Sequence, residues 1–202
     1  MKKGLSILSL VLVCVICMVG LADAATLHSG WITSDETWAL AGSPHIINSL
    51  TTVRDGATLT IEPGVEVRFN ENAVNPRLII AEGGTGTTGK LIAQGTDSQK
   101  ITFTSNASTP QPGDWQSINF NSNASDDSII EYAIIEYGGI GGNIDISSSN
   151  PTIRNCIIRY GSDEGIYIYD STSGISGCHF EGNGGCGIEI VQASPVLDAN
   201  AF

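Results

Sequence analysis

Asp145, Tyr167 and Glu189 fall 22 residues apart, each at the centre of a short alternating run: Ile144-Asp145-Ile146, Ile166-Tyr167-Ile168 and Ile188-Glu189-Ile190. Such alternation is the period-2 pattern of a strand with one buried face, which sends the isoleucines inward and the three polar side chains toward solvent. An aromatic ring between two carboxylates is the residue combination of a sugar-binding surface. Stacked strands would hold the two carboxylates about 9.6 Å apart, near the upper end of the separation in an inverting glycosidase pair. Catalysis needs more than that spacing, because a site also requires a cleft and carboxyls of unequal acidity. No catalytic residue is therefore assigned, and Asp145, Tyr167 and Glu189 are expected to form a binding column.

Other reactive residue types fall into columns of the same period. Glu136, Arg159 and Glu181 follow one another at 23 and 22 residues, and Glu131, Arg154 and Asp198 form a second series. Alternating sign on neighbouring strands predicts ladders that fix register, each exposed pair contributing only ~0–1 kcal/mol. Cys156 and Cys178 are also 22 apart. A step of ~4.8 Å between stacked strands lies within the range of a disulfide, but in-register stacking disfavours its torsion, so two small apolar thiols are the preferred reading. Of the five cysteines, Cys14 and Cys17 lie in the apolar run near the N-terminus; Cys186 is left over from the pair, and the three that remain do not make a disulfide framework. His28, His45 and His179 show no metal-ligand spacing, and neither a metal nor a cofactor is expected. The run Gly84-Thr85-Gly86-Thr87-Thr88-Gly89-Lys90-Leu91 resembles phosphate-binding loops, yet those need a following helix N-terminus, whereas a strand pattern follows here. Gly184-Gly185-Cys186-Gly187-Ile188-Glu189 has no neighbouring copy at the nine-residue spacing of a calcium repeat. Asn106-Ala107-Ser108 and Asn123-Ala124-Ser125 fit the glycosylation acceptor pattern on loops.

What positions these columns is an internal repeat. Ile153, Ile175 and Leu197 recur at 22 residues, as do Ile158, Phe180 and Phe202, while Ile130, Ala133 and Ile135 precede Ile153, Cys156 and Ile158 by 23. Gly, Asn, Asp and Ser fill the intervals as turns. A period this short leaves no room for a crossover helix, and the Leu-x-x-Leu-x-Leu pattern is missing. Units of short strands that cannot bury an apolar face alone must stack, which predicts an all-β fold, a single-stranded right-handed parallel β-helix with coils of about 22 residues in the C-terminal half. The N-terminal half has strand-like runs at residues 58–61, 66–69, 77–81, 90–93, 100–104 and 115–120, separated by longer insertions. Residues 25–55, with Trp31 and Trp38, are expected to cap the N-terminal end, and residues 56–202 to form the β-helix. Phe202 aligns with Phe180, so the solenoid is expected to be truncated at the C-terminus, with self-association possible through its uncapped end.

The first 24 residues read as a signal peptide: Lys2 and Lys3, an uncharged run from Leu5 to Leu21, then Ala22-Asp23-Ala24. That implies a secreted or cell-surface protein, with no membrane span after cleavage. Removing them takes away Lys2, Lys3 and Asp23, leaving 7 basic against 20 acidic residues from the 9 and 21 of the whole chain. So acidic a chain excludes nucleic acid as a partner.

The segment Gly56-Ala57-Thr58-Leu59-Thr60-Ile61-Glu62-Pro63-Gly64-Val65 is followed in order by Lys90-Leu91-Ile92-Ala93-Gln94-Gly95-Thr96, Lys100-Ile101-Thr102-Phe103-Thr104-Ser105, Gly113-Asp114-Trp115 and Ile134-Ile135-Glu136-Tyr137-Gly138. Over about residues 30–202 this series resembles a group of secreted bacterial and archaeal β-helix repeat proteins with a pectate-lyase-like fold. The resemblance implies a surface module that binds carbohydrate, cell wall or matrix. The alternative it implies is a polysaccharide lyase or hydrolase, which would need clustered acids beside an Arg or Lys base.

Overall fold

The computed structural model describes residues 25–82 and 87–202, and they form an all-β solenoid. The expected leader, residues 1–24, and Gly84, Thr85 and Gly86 of the glycine-rich run lie outside the described residues. The chain begins with β1 (Thr26–Ile32), β2 (Glu36–Trp38), β3 (His45–Val53) and β4 (Ala57–Ile61). It continues through β5 (Glu66–Phe69), β6 (Leu78–Ile80) and β7 (Gly89–Gln94), then β8 (Ile101–Ser105), β9 (Ile118–Phe120) and β10 (Ile129–Glu131). The last turns hold β11 (Ala133–Glu136), β12 (Ile144–Ser147) and β13 (Thr152–Arg154), then β14 (Ile157–Arg159), β15 (Ile166–Tyr169) and β16 (Gly174–Ser176), and finally β17 (His179–Glu181), β18 (Ile188–Val191) and β19 (Val196–Asp198). The helical element among the described residues is a single 3-10 turn, Leu40–Gly42.

Strands pair in parallel and stack into three faces. Face one is the sheet β2-β4-β7-β10-β13-β16-β19. Face two runs β3-β5-β8-β11-β14-β17 and face three runs β3-β6-β9-β12-β15-β18. These two share β3, whose His45–Ile47 part pairs with β5 and whose Thr51–Val53 part pairs with β6. Residues 25–55, expected as a cap, thus hydrogen-bond into the same sheets through β1–β3. On β12, β15 and β18 the registers pair Ile144 with Ile166 and Ile166 with Ile188, each 22 positions on.

A left-handed residue recurs at each corner in the C-terminal coils, joined by Gly141 and Gly142 in the bend after Tyr137. Tyr132, Asn155, Gly177 and Ala199 occupy the bend from face one to face two, with φ of 48° to 62°. Tyr137, Tyr160 and Gly182 occupy the next bend, and Ser148, Asp170 and Gln192 the third, with φ of 48° to 65°. Left-handed backbone is uncommon outside glycine, so its recurrence shows that each coil is turned by the same local device rather than by a flexible loop.

Inside, like residues stack. One column runs Trp38, Ile61, Ala93, Ile130, Ile153, Ile175 and Leu197 on face one. Others hold Val67, Phe103, Ile135, Ile158 and Phe180 on face two, and Ile80, Phe120, Ile146 and Ile168 on face three. All but Leu197 are buried. At about 25 cal/mol per Å² of apolar surface removed from water, this continuous core is the main stabilising contribution. The first rung differs: His28, Trp38 and His45 stack as a plate, with ring centroids 4.1 to 5.3 Å apart.

Candidate functional site

The Asp145–Tyr167–Glu189 column is real in space. Asp145 pairs with Tyr167, and Tyr167 with Glu189, on adjacent strands of face three. Each is half-buried and flanked by inward isoleucines. The register extends the column to Asn119 on β9, which pairs with Asp145, and then to Ile79 on β6. Because outward positions recur every second residue, a parallel column lies beside it: Ser147, Tyr169 and Val191. Four successive rungs therefore carry Asn119, Asp145 with Ser147, Tyr167 with Tyr169, and Glu189 with Val191.

Asp145 is tightly held. Its Oδ2 accepts a hydrogen bond from Asn119 Nδ2 at 2.9 Å, and its Oδ1 accepts one from the Ser147 hydroxyl at 3.1 Å. Burial pushes its carboxyl above the ordinary aspartate range, opposed by those two hydrogen bonds and by the charge of Arg77. Arg77 precedes β6, and its buried Nε has no acceptor among the described residues. Toward the other end, burial, Asp163 and Glu189 together raise the carboxyl of Glu164. Tyr167 and Tyr169 differ from the tyrosines at the face-two corner, where Tyr137 and Tyr160 rings lie 5.7 Å apart and Arg159 sits 5.0 Å over Tyr160. Neither ring of the face-three pair has an aromatic or cation contact, and neither hydroxyl has a hydrogen-bond partner, among the described residues.

The remaining sequence candidates are structural. Arg159 donates to Glu136 at 2.8 Å and to Glu181 at 3.3 Å, and Arg154 contacts Glu131 at 2.8 Å. Thr104 continues the first ladder by donating its hydroxyl to Glu136 at 3.0 Å. Both Arg side chains are thus committed to carboxylates and offer no free base. Cys156 and Cys178 are buried free thiols, and the disulfide alternative is not formed. Their sulfurs approach backbone carbonyls instead, Cys156 that of Arg154 at 3.2 Å and Cys178 that of Ser176 at 3.5 Å. Burial pushes the Cys156 thiol well up, which keeps it an inert apolar group. Cys186 is exposed. The strand expected after the glycine-rich run is β7, so no helix end faces Gly89 and Lys90. Among the described residues no group of three His, Cys, Asp or Glu is placed to hold a metal ion, and no helix is long and apolar enough to cross a membrane.

Sequence reading missed Asn119, Ser147, Tyr169 and Arg77. Ser147 and Tyr169 were accessible through the same alternation that placed Asp145 and Tyr167. Asn119 lies 26 positions before Asp145, and the longer connection hides it from a 22-residue register. Arg77 sits beyond a further long insertion.

A chain built of parallel strands on three faces, with a core of stacked rungs and one outward plate of amides, acids and phenols, is a parallel β-helix protein. Residues 30–193 match the family described as pectate-lyase like beta helix domain, and the chain belongs to it. Comparison with curated proteins and with solved structures gives no match.

Proposed function

We propose that this chain is a secreted or cell-surface β-helix module that holds a polysaccharide on face three. The observation that carries the reading is the pair Tyr167 and Tyr169, two part-exposed rings with no aromatic, cation or hydrogen-bond partner among the described residues, set between Asp145 on one rung and Glu189 on another. The fold needs neither ring, since the core lies on the opposite side of β15. Rings present a large apolar area at low entropy cost and a polar tip, and neighbouring carboxylates accept hydrogen bonds from sugar hydroxyls. The family supports the scaffold, and the acidic charge fits an extracellular surface.

The test is binding of the purified protein to a panel of soluble cell-wall polysaccharides, by affinity electrophoresis and calorimetry. Replacing both tyrosines (Tyr167→Ala with Tyr169→Ala) is expected to weaken binding about tenfold or more. Asp145→Ala and Glu189→Ala are each expected to weaken it by a smaller factor. Since both rings project outward, the unfolding free energy should stay within ~0.5 kcal/mol of the parent. Binding unchanged in the double tyrosine variant would remove this site from consideration.

A further inference from the structure

The charge and hydrogen-bonding pattern of face three select among polysaccharides, and this step rests on the reading just given. The acidic groups around the plate are Asp145 and Glu189 on it and Asp163 and Glu164 at its edge, and the basic group acting on it is Arg77. Mutual repulsion already raises the Glu164 carboxyl, alongside burial. A uronate or sulfated chain laid here would add a negative charge per unit against this field, and one Arg does not offset four carboxylates. A neutral polyhydroxyl chain meets no such cost. Its hydroxyls both donate and accept, and the plate offers both roles in succession. The two acids accept, the phenols of Tyr167 and Tyr169, unengaged among the described residues, can donate and accept, and the Asn119 amide donates to Asp145 and holds it in place.

The direction of the chain follows from the same geometry. The polar positions repeat along the solenoid axis at about 4.8 Å per rung, a step of the same order as the advance of one ring in an extended glycan. The tyrosines stand side by side on one strand, so together they widen a single rung of that axial series. We propose that face three binds a neutral polysaccharide lying along the solenoid axis, its rings crossing Asn119, Asp145, the Tyr167–Tyr169 pair and Glu189 in turn.

The experiment uses calorimetry with the whole protein and two ligand series, neutral oligosaccharides (cello-, xylo- and manno-oligomers of increasing length) and oligogalacturonates of matching length. At least one neutral series is expected to bind, with affinity rising until the ligand spans about 14 Å, the distance from the Asn119 rung to the Glu189 rung. That binding should vary little with salt, since no ion pair forms, and should fall about tenfold or more when both tyrosines are replaced by Ala. Oligogalacturonates should bind more weakly at every length. If oligogalacturonate binds at least as tightly, and does so through the tyrosines, the neutral class is wrong while the face-three reading stands. If binding of either series ignores the tyrosines, or neither series binds, both readings fall. Circular dichroism of each variant separates loss of binding from loss of fold.

Discussion

At Asp145 the fold holds a carboxyl that burial pushes above its ordinary range. A raised aspartate pKa means that the folded state disfavours the ionised form relative to the unfolded chain, so the charge weakens the fold at neutral pH and the penalty disappears as the group protonates. An asparagine has nearly the same shape. Its oxygen can accept from Asn119, and its nitrogen can face the Ser147 hydroxyl as an acceptor. Asp145→Asn is therefore expected to leave the protein as stable as the parent or to raise its stability by up to ~1 kcal/mol, read from urea unfolding at neutral pH. Binding of neutral glycans by the same variant should decline. A loss of more than ~1 kcal/mol would show that the carboxylate serves the structure, and would remove this residue's support for a functional face. Stability given up at a site is what a retained binding or catalytic group produces.

At the scale of elements, the plate of His28, Trp38 and His45 ties β1, β2 and β3 together. His45 Nε2 contacts the Ala39 carbonyl at 2.9 Å, so that nitrogen carries hydrogen and His45 Nδ1 is left to accept from His28 Nε2, 2.9 Å away. His28 Nδ1 then faces Glu36, 3.4 Å away, whose Oε1 accepts from Trp38 Nε1 at 2.7 Å. Burial lowers the His28 pKa to about 4, with Glu36 opposing and His45 assisting. Unfolded histidine titrates near 6.5, so between these values the unfolded chain binds more protons. The proton-linked part of the His28 contribution is complete above about pH 6.5, declines as pH falls, and is lost below about pH 4, a change on the order of 2 kcal/mol after discounting for solvent screening of the half-buried ring. Amide exchange in β1, corrected for its intrinsic rate, should be faster at about pH 4 than at about pH 7, and His28→Gln should flatten that dependence. Equal corrected protection at both values would show that the plate does not pin β1. None of this was legible in the sequence, where the histidines lie 17 residues apart with no pattern to join them. The coils from β10 onward were legible, because each residue there has a partner 22 or 23 positions away. The strand runs of the N-terminal half were legible as well, but the fusion of two faces through β3 was not, since a nine-residue strand has the same alternation whether it serves one face or two.

At the scale of the whole molecule, each coil touches its neighbours, so stability is close to a sum of coil and interface contributions. The face-one column tests this within one row of like residues. Ile153 is fully buried between Ile130 and Ile175, while Leu197, two rungs on, is 43% exposed. Val196 and Phe202 beside it are exposed too. Truncating Ile153 to Ala removes methyls from a close-packed rung and leaves a cavity bounded above and below by side chains that cannot collapse without shifting the ladder. The expected cost is ~2–5 kcal/mol. Truncating Leu197 to Ala removes surface that water already reaches, with an expected cost below ~1 kcal/mol. Ile175 sits between them in the column and is also fully buried, so Ile175→Ala should fall with Ile153→Ala rather than midway. Urea unfolding of the three variants checks the order. Equal costs at Ile153 and Leu197 would mean that coupling along the solenoid is long-range, so that a defect at the exposed rung propagates through the stack as a whole. A steep fall from Ile175 to Leu197 would mean that each rung is stabilised by the coils in contact with it, which is the condition under which face three can change its outward residues rung by rung without disturbing the core behind them.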